Sequence, residues 1–388
     1  MNLTAYIYHL GEFKNQSDQK SHKETIVMWS PQQELGLKSV GVWYHSLDRK
    51  QVFKVLGYAG TGKTTLAKHF ASLINGEVLY ASFTGKAALV LRKAGCHGAT
   101  TIHSLIYKPV KNEFGVLEFS INRNSSLKDA ALLIVDECSM VDDELGKDLL
   151  SFGIPILVLG DPAQLPPPGG TGFFTEGEGD VMLTEIHRQA EDSPIIHLAT
   201  SVRNGVIPKL GEYGTSKIVN DVSADEFMQY DQMIAGRNIT RSSLNAMHRE
   251  ALGRESVFPV TGDRLICLKN KPKMGLFNGG MFEVLKTTKT KSKMFKQYTI
   301  KNLDTPTQAA FQVKVHDSFF TGTEKPNWKT LTGSQEFDFG FCITAHKSQG
   351  SQWDSVLVFD ESYCFRDDKF RWLYTAITRA SERVTIYR

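Results

Sequence analysis

Apolar residues in this chain gather in short, nearly unbroken runs that each close on a glycine or an acid. Residues 52–56, 132–135 and 154–159 are three of them, followed by Gly57, by Asp136 and Glu137, and by Gly160 and Asp161. Runs of this length that are apolar on both faces read as buried strands of a parallel sheet, whose two sides are covered by helices. After the first run, Leu66, Phe70 and Leu73 or Ile74 recur at helical spacing, which predicts a strand, a loop and an amphipathic helix. Residues 356–359 repeat the strand pattern and stop at Asp360, and residues 384–387 supply a last strand. A further helix is expected in "ITRSSLNAMHREALG".

Two stretches break this texture. Between "GDRLICLKN" and residue 339 lie about seventy residues in which "LFNGGMFEVLKTTKTKSKMFKQYTIKNL" and "AAFQVKVHDSFF" alternate short apolar runs with turns and lysines. That pattern predicts a small inserted β-barrel. "YKPVKNEFGVLEFSINRNSS" reads as a hairpin over about 106–126, with Phe114 and Phe119 placed either to stack on bases or to pack onto the body of the protein. Residues 1–25 begin with an apolar alternation and then turn polar, as an added edge strand and a loose linker would; no role is assigned to them.

Length and composition narrow the class. At 388 residues the chain exceeds what one core usually supports, so two or three domains are expected. With 45 basic against 42 acidic residues its formal charge is +3, which permits nucleic-acid binding without requiring it, because a groove needs local positive charge. The five cysteines, at 96, 138, 267, 342 and 364, lack zinc-type spacing and read as buried thiols in a reducing cytosol. No apolar stretch has the length of a membrane span and the first ten residues lack a leader pattern, so a soluble, unexported protein is expected.

The chemistry sits at the ends of the strands. In "GYAGTGKTT", Gly57, Gly62, Lys63 and Thr64 fit the G-x-x-x-x-G-K-[ST] pattern, and Gly60, Thr61 and Thr65 belong to the same loop. Glycines let the backbone N–H groups turn onto a phosphate, Lys63 can reach the terminal phosphates and Thr64 can ligate magnesium. Asp136, at the carboxyl end of its strand, is then the second metal ligand, and Glu137 the group that polarises the attacking water. In "GDPAQLPPPG", Gln164 carries an amide able to sense the terminal phosphate or the water. A last cluster, "CITAHKSQGSQWDSVLVFD", crowds Thr344, His346, Lys347, Ser348 and Gln349 against Gly350, immediately before a core strand.

Together these stretches resemble superfamily 1 helicases, in particular the RecD-like and Dda-like branch, from about Trp29 to the carboxyl end. The resemblance implies an α/β fold of two RecA-like P-loop lobes, the first over 26–183 and the second over 184–270 and 339–388. It also implies an SH3-like barrel insertion over 271–338 and a duplex-splitting hairpin in the first lobe. "SPQQ" looks like the adenine-reading motif, with Gln33 the better register and Gln32 the competing one. Thr84, Gly85 and Lys86, then Thr101 and His103, occupy the positions of single-stranded DNA contacts. Thr344, His346 and Lys347 would meet the same strand, while Gln349 and Gly350 approach the nucleotide. Arg188 in "LTEIHRQ" and Arg379 in "LYTAITRASERV" stand where arginines reach the terminal phosphate.

The activity implied is an ATP- and Mg2+-dependent DNA helicase, working as a monomer on single strands and single/double-strand junctions, with 5' to 3' travel. Single-strand-binding or replication proteins are the expected partners, no membrane is involved, and the compartment is the cytoplasm, that of a host if a phage encodes the chain. Two alternatives stand beside it: a nucleic-acid-stimulated ATPase that remodels protein–DNA complexes or acts on RNA, and a nonenzymatic DNA-binding recombination scaffold. Replication, repair and recombination are equally open.

Overall fold

Ser30 sets the start of the first helix in the computed structural model, which describes residues 29–111, 117–186, 192–271, 274–288, 290, 292, 294–305, 307–322, 331 and 333–388. Its hydroxyl accepts from Gln33 N while the Gln33 side chain accepts from Ser30 N, and Pro31 takes the first turn of α1 (Pro31–His45). β1 (Val52–Gly57) leads through the glycine loop into α2 (Lys63–Ala71), and β2 (Val78–Ser82) leads into α3 (Gly85–Lys93). An edge strand, β3 (Thr100–Thr101), runs into the short α4 (Ile102–Ile106) and the hairpin β4 (Tyr107–Lys111) and β5 (Leu117–Ile121). β6 (Leu132–Asp136), α5 (Asp143–Leu150), β7 (Ile156–Gly160) and β8 (Val181–Leu183) complete a first sheet in the order β3-β2-β6-β7-β1-β8, parallel throughout.

The unbroken apolar runs have a direct cause. Successive side chains of a strand point to opposite faces, and both faces of β6 and β7 are covered. Leu132, Ile134, Leu157 and Leu159 pack with Leu66 and Phe70 of α2, whereas Leu133, Val135, Ile156 and Val158 pack with Ile102, Ile106 and Leu145. Each such side chain contributes about 1.5–3 kcal/mol by leaving water.

α6 (Pro194–Arg203), β9 (Gly211–Tyr213), β10 (Ser216–Val219), β11 (Gln232–Ala235) and α7 (Asn238–Ala251) follow. The chain then builds a separate antiparallel sheet from β12 (Arg264–Cys267), β13 (Met281–Thr288), β14 (Phe295–Asn302), β15 (Phe311–His316) and β16 (Phe337–Phe339). It returns as β17 (Cys342–Thr344), α8 (Ala345–Ser348), β18 (Trp353–Phe359), α9 (Lys369–Ile377) and β19 (Ala380–Tyr387). The second sheet runs β17-β11-β18-β19-β10-β9, with only β9 antiparallel. Its order matches the first at the five parallel positions, with β17 standing where β3 stands, β11 where β2 does, β18 where β6 does, β19 where β7 does and β10 where β1 does; the sixth strand, β9, is antiparallel where β8 is parallel.

The antiparallel sheet has a core of its own, including Leu265, Phe282, Val284, Tyr298, Ile300, Val313 and Phe337. β12 precedes residue 271, the expected start of the insertion, yet it pairs with β13 and β16 and so belongs to this third sheet. The hairpin is present as β4 and β5, with Phe119 72% exposed; Phe114 lies outside the described residues, as do residues 1–25. Among the described residues no helix is long and apolar enough to cross a membrane.

Asp263 anchors the point where α7 hands over to β12. Its carboxylate is fully buried and accepts from Arg249 Nε at 3.1 and 3.2 Å, from Arg254 Nη1 at 2.6 Å and from Val260 N at 2.7 Å. Removing one member of such a network strands buried guanidinium charge. Asp263→Ala is therefore expected to cost about 3–5 kcal/mol, read as a lowered urea midpoint, whereas breaking the exposed Lys147–Asp143 pair costs about 0.5 kcal/mol or less.

Candidate functional site

β1 ends at Gly57 and the loop that follows turns through Gly60 (φ 82°) and Gly62 (φ 79°), backbone angles that side-chain-bearing residues rarely adopt. Gly62 heads α2 without any side-chain cap, so the first amides of the helix stay open to an anion. The Lys63 amine donates to Gly57 O at 2.7 Å and Tyr58 O at 2.8 Å, folded onto its own loop. Thr61 is buried and its carbonyl accepts from Gln33 Nε2 at 3.1 Å, while Thr65 is exposed. Gln33 thus ties the head of α1 to the phosphate loop. Gln32 faces elsewhere: its Oε1 accepts from Thr184 N and Glu185 N at 2.6 and 2.9 Å, holding the chain as it leaves β8.

The Thr64 hydroxyl donates to Asp136 Oδ2 at 2.8 Å, joining the loop to the end of β6. Burial, then the charge of Glu137, pushes the Asp136 carboxyl up to about 6. Glu137 itself sits at φ 53° and ψ 46°, a left-handed position that costs a non-glycine residue about 1–2 kcal/mol. The strained residue directly follows Asp136 and heads the turn that leaves β6. Thr64 and Asp136 offer two oxygens, the donor type that suits Mg2+.

Residues of the segment before β18 reach a loop and a helix of the first sheet. Gln349 and Gln164 are both buried; Gln349 Nε2 donates to Leu165 O at 2.9 Å and lies 3.4 Å from Gln164 Oε1, while Gln349 Oε1 is buried without a partner. Gly350, at φ 72°, packs so tightly on α3 that an added Cβ would lie 2.7 Å from Ala87 Cβ. Arg379 is buried with its guanidinium donating to Thr375 O, Ser351 O and Thr378 Oγ1 at 3.0–3.2 Å, all neutral acceptors. Arg188 lies outside the described residues.

The other expected contacts lie along α3, α4 and α8. Thr84 caps α3, with its hydroxyl accepting from Ala87 N at 3.1 Å, and Gly85 lies under the Phe277 ring. Lys86 is committed to a partner: its amine is 3.1 Å from Asp304 Oδ1 and 4.5 Å from the centre of the Trp353 ring. Thr101 caps α4 and His103 is exposed, close to the rings of Phe83 and Tyr107. Thr344 heads α8, His346 lies 6.0 Å from the Phe365 ring, and Lys347 is exposed. Both short helices follow an edge strand of their sheet, so Thr101-Ile102-His103 and Thr344-Ala345-His346 are equivalent segments.

Comparison with known proteins fits this geometry. The AAA domain family matches residues 44–224 and the UvrD-like helicase C-terminal domain family matches 339–387. The chain is 29% identical over 84% of its length to the ATP-dependent RecD2 DNA helicase of Deinococcus radiodurans, covering 45% of that protein. It is 37% identical over 41% of its length to the ATP-dependent DNA helicase dda of Enterobacteria phage T4, covering 39% of it. The chain is thus similar to ATP-dependent DNA helicases of the RecD2 and dda kind. It spans less than half the length of either curated relative. The fold is shared with Bacteroides Pif1 bound to single-stranded DNA, at a TM-score of 0.59, 20% identity and 92% coverage of both chains.

Two features of this chain escape a reading of its sequence. Residues 237–239, at the head of α7, occupy in the second sheet the place of Thr84, Gly85 and Lys86 in the first; the signal lies in the strand order. Tyr374, inside the quoted "LYTAITRA", donates to Asp161 Oδ2 and accepts from Ala59 N, contacts that no spacing announces. The two glutamines can be told apart by stability. Gln33→Ala removes the capping box and the brace on Thr61 and is expected to cost about 1–2 kcal/mol in urea unfolding, more than half-buried Gln32→Ala.

Proposed function

We propose that this chain is an ATP-dependent helicase motor that tracks single-stranded DNA, with ATP held between the two parallel sheets. The observation that carries the reading is a phosphate loop tied to the end of β6 by the Thr64–Asp136 bond and to the second sheet by the Tyr374 hydroxyl, which accepts from Ala59 N. Arg379 supports it because a buried guanidinium held only by neutral acceptors lacks the anion that would offset its desolvation. The relatives named above as ATP-dependent DNA helicases and the Pif1 structure holding single-stranded DNA support the same substrates.

The residues take these roles. Lys63 leaves the loop carbonyls for the terminal phosphates, helped by Gly57, Gly60, Thr61, Gly62 and Thr65 of the loop. Thr64 and Asp136 would hold Mg2+, which supplies charge neutralisation at the phosphates when bound. Glu137 orients the water, Gln164 and Gln349 sense the terminal phosphate, and Gln33 or Gln32 reads the adenine. Arg379 and Arg188 stabilise charge developing in the transition state. Thr84, Gly85, Thr101, His103, Thr344, His346 and Lys347 line the DNA path. The parallel sheets form two RecA-like lobes that meet near residue 184, and the third sheet is an SH3-like insertion whose lower bound β12 moves to 264. Exposed Phe119 suits a splitting hairpin, and travel is 5' to 3'.

Lys86 enters this path only after a change of partner. Burial pushes its amine below the usual lysine range, more strongly than Asp304 and the accompanying hydrogen bond pull it back. A phosphodiester would replace Asp304 as the counter-charge.

The test is ATP hydrolysis with and without a single-stranded oligonucleotide, with unwinding of duplexes bearing 5' or 3' tails measured in parallel. Stimulation without unwinding on either tail would favour a remodelling ATPase instead. Lys63→Ala is expected to lower turnover by about 100-fold or more, and Glu137→Gln to do so while nucleotide binding is retained. Wild-type turnover in folded Glu137→Gln removes that residue from its role. Separately, Asp304→Ala is expected to tighten single-stranded DNA binding about threefold to tenfold by fluorescence anisotropy, because Lys86 is released.

A further inference from the structure

α9 of the second sheet touches the first sheet through a hydroxyl that a core residue has no need to carry. Tyr374 is 1% exposed and belongs to the buried cluster that includes Leu165 and Ile195, where a phenylalanine would fill the same space. Its oxygen accepts from Ala59 N at 2.9 Å and donates to Asp161 Oδ2 at 2.7 Å. One donor and one acceptor use up the hydroxyl, so its orientation is fixed. Ala59 is the middle of the phosphate loop, next to the carbonyls of Gly57 and Tyr58 that hold Lys63. Asp161 closes β7, is itself 1% exposed, and is near enough to Lys63 and Glu137 for both charges to act on its carboxyl. Asp161 Oδ1 also accepts from Ala163 N at 2.9 Å, which fixes the turn that carries Gln164.

Neighbouring groups add further ties across the same seam. Thr375 Oγ1 accepts from Leu165 N at 2.9 Å, so consecutive residues of α9 hold two different loops of the first sheet. The Arg203 guanidinium lies 3.5 Å over the centre of the Tyr58 ring, gripping the phosphate loop a second time from beyond β8. Beside it a cavity of about 250 Å³, lined by Tyr58, Pro162, Ala163, Arg203, Phe370 and Arg371, leaves the loop room to shift.

We propose that Tyr374 is a positioning residue through which the second lobe sets the phosphate loop: its hydroxyl joins Ala59 N–H to the Asp161 carboxylate, so DNA-driven lobe movement changes the rate of ATP turnover rather than nucleotide affinity. The inference rests on the motor reading above and adds to it the path from DNA to phosphate. When the lobes shift, the hydroxyl carries Ala59 and Asp161 together, and Lys63 and Gln164 on either side move with them. No group is transferred through Tyr374.

The experiment compares the full chain with Tyr374→Phe, Asp161→Asn and the double variant, in steady-state ATP hydrolysis with and without a single-stranded oligonucleotide. In each single variant the ratio of DNA-stimulated to DNA-free kcat is expected to fall about tenfold while KM for ATP stays within about twofold. The double variant is expected to be no worse than the worse single one, since both changes break one linkage. A lowered thermal midpoint with the wild-type ratio would mean that the hydroxyl only supports packing, and additive losses would mean two separate roles; either overturns the inference. Should Tyr374→Phe not fold, the KM-against-kcat split of Asp161→Asn decides in the same way. A wild-type chain whose turnover ignores the oligonucleotide overturns the motor reading itself, whereas a responsive wild type with responsive variants overturns only the role of Tyr374.

Discussion

Buried polar bonds between the two parallel sheets impose a constraint that an apolar seam would not. The hydroxyls of Tyr374 and Thr375 and the amide of Gln349 all cross from the second sheet to loops of the first. Apolar surfaces can slide over one another with little change in buried area, but a buried polar group that loses its partner costs about 1–3 kcal/mol. The seam therefore has few acceptable arrangements, and a ligand acts by choosing among them. Its incomplete places are Gln349 Oε1, which has no partner, and Arg379, whose acceptors are all neutral. Both belong to residues that the motor reading assigns to the terminal phosphate.

What could be read from the sequence follows from how local each cause is. β6 and β7 are apolar without alternation because both faces are covered, so a single run of residues reports its own burial. The phosphate loop is equally local, since Gly60 and Gly62 satisfy backbone angles within one turn. Lys86 is the opposite case. Nothing near residue 86 reports that Asp304 and Trp353 will meet its amine, because those partners come from the third sheet's turn and from the second sheet. β12 was equally hidden: "RLIC" has the texture of a core strand, and only its antiparallel partners place it outside the second sheet. Tyr374 sat inside a recognised motif, yet a tyrosine in an apolar helix reads as packing until its hydroxyl is seen to have two partners from two different loops.

The third sheet is held to the second through charge and to the first through Lys86, and the two attachments differ in kind. Asp263 is enclosed by Arg249, Arg254 and a backbone amide, a network that no incoming ligand can replace in kind. Asp304 faces one lysine amine and a second lysine, Lys93, which donates to its carbonyl at 2.9 Å. Burial already works against the Lys86 charge, so this contact is open to substitution by another anion. On the proposed reading, the insertion is fixed at its root and exchangeable at its tip, and the tip lies over a segment expected to meet DNA.

The matching strand orders give the motor reading its geometry. In each sheet an edge strand ends in a threonine at the head of a one-turn helix with a histidine two residues on. A strand of nucleic acid laid across both edges would meet two equivalent grips, one on each sheet, so a relative displacement of the sheets changes the spacing between grips without remaking either. Gly350 makes that displacement matter to the nucleotide. It presses on Ala87 of α3 on one side, while its neighbour Gln349 reaches Leu165 and Gln164 on the other. A segment confined at both ends in this way cannot shift against the DNA-side helix without also shifting the amide beside the phosphate site. The crowd of polar side chains before β18 is thus explained by position: the segment is polar because it lies in the seam, and the strand after it is apolar because it lies in the core.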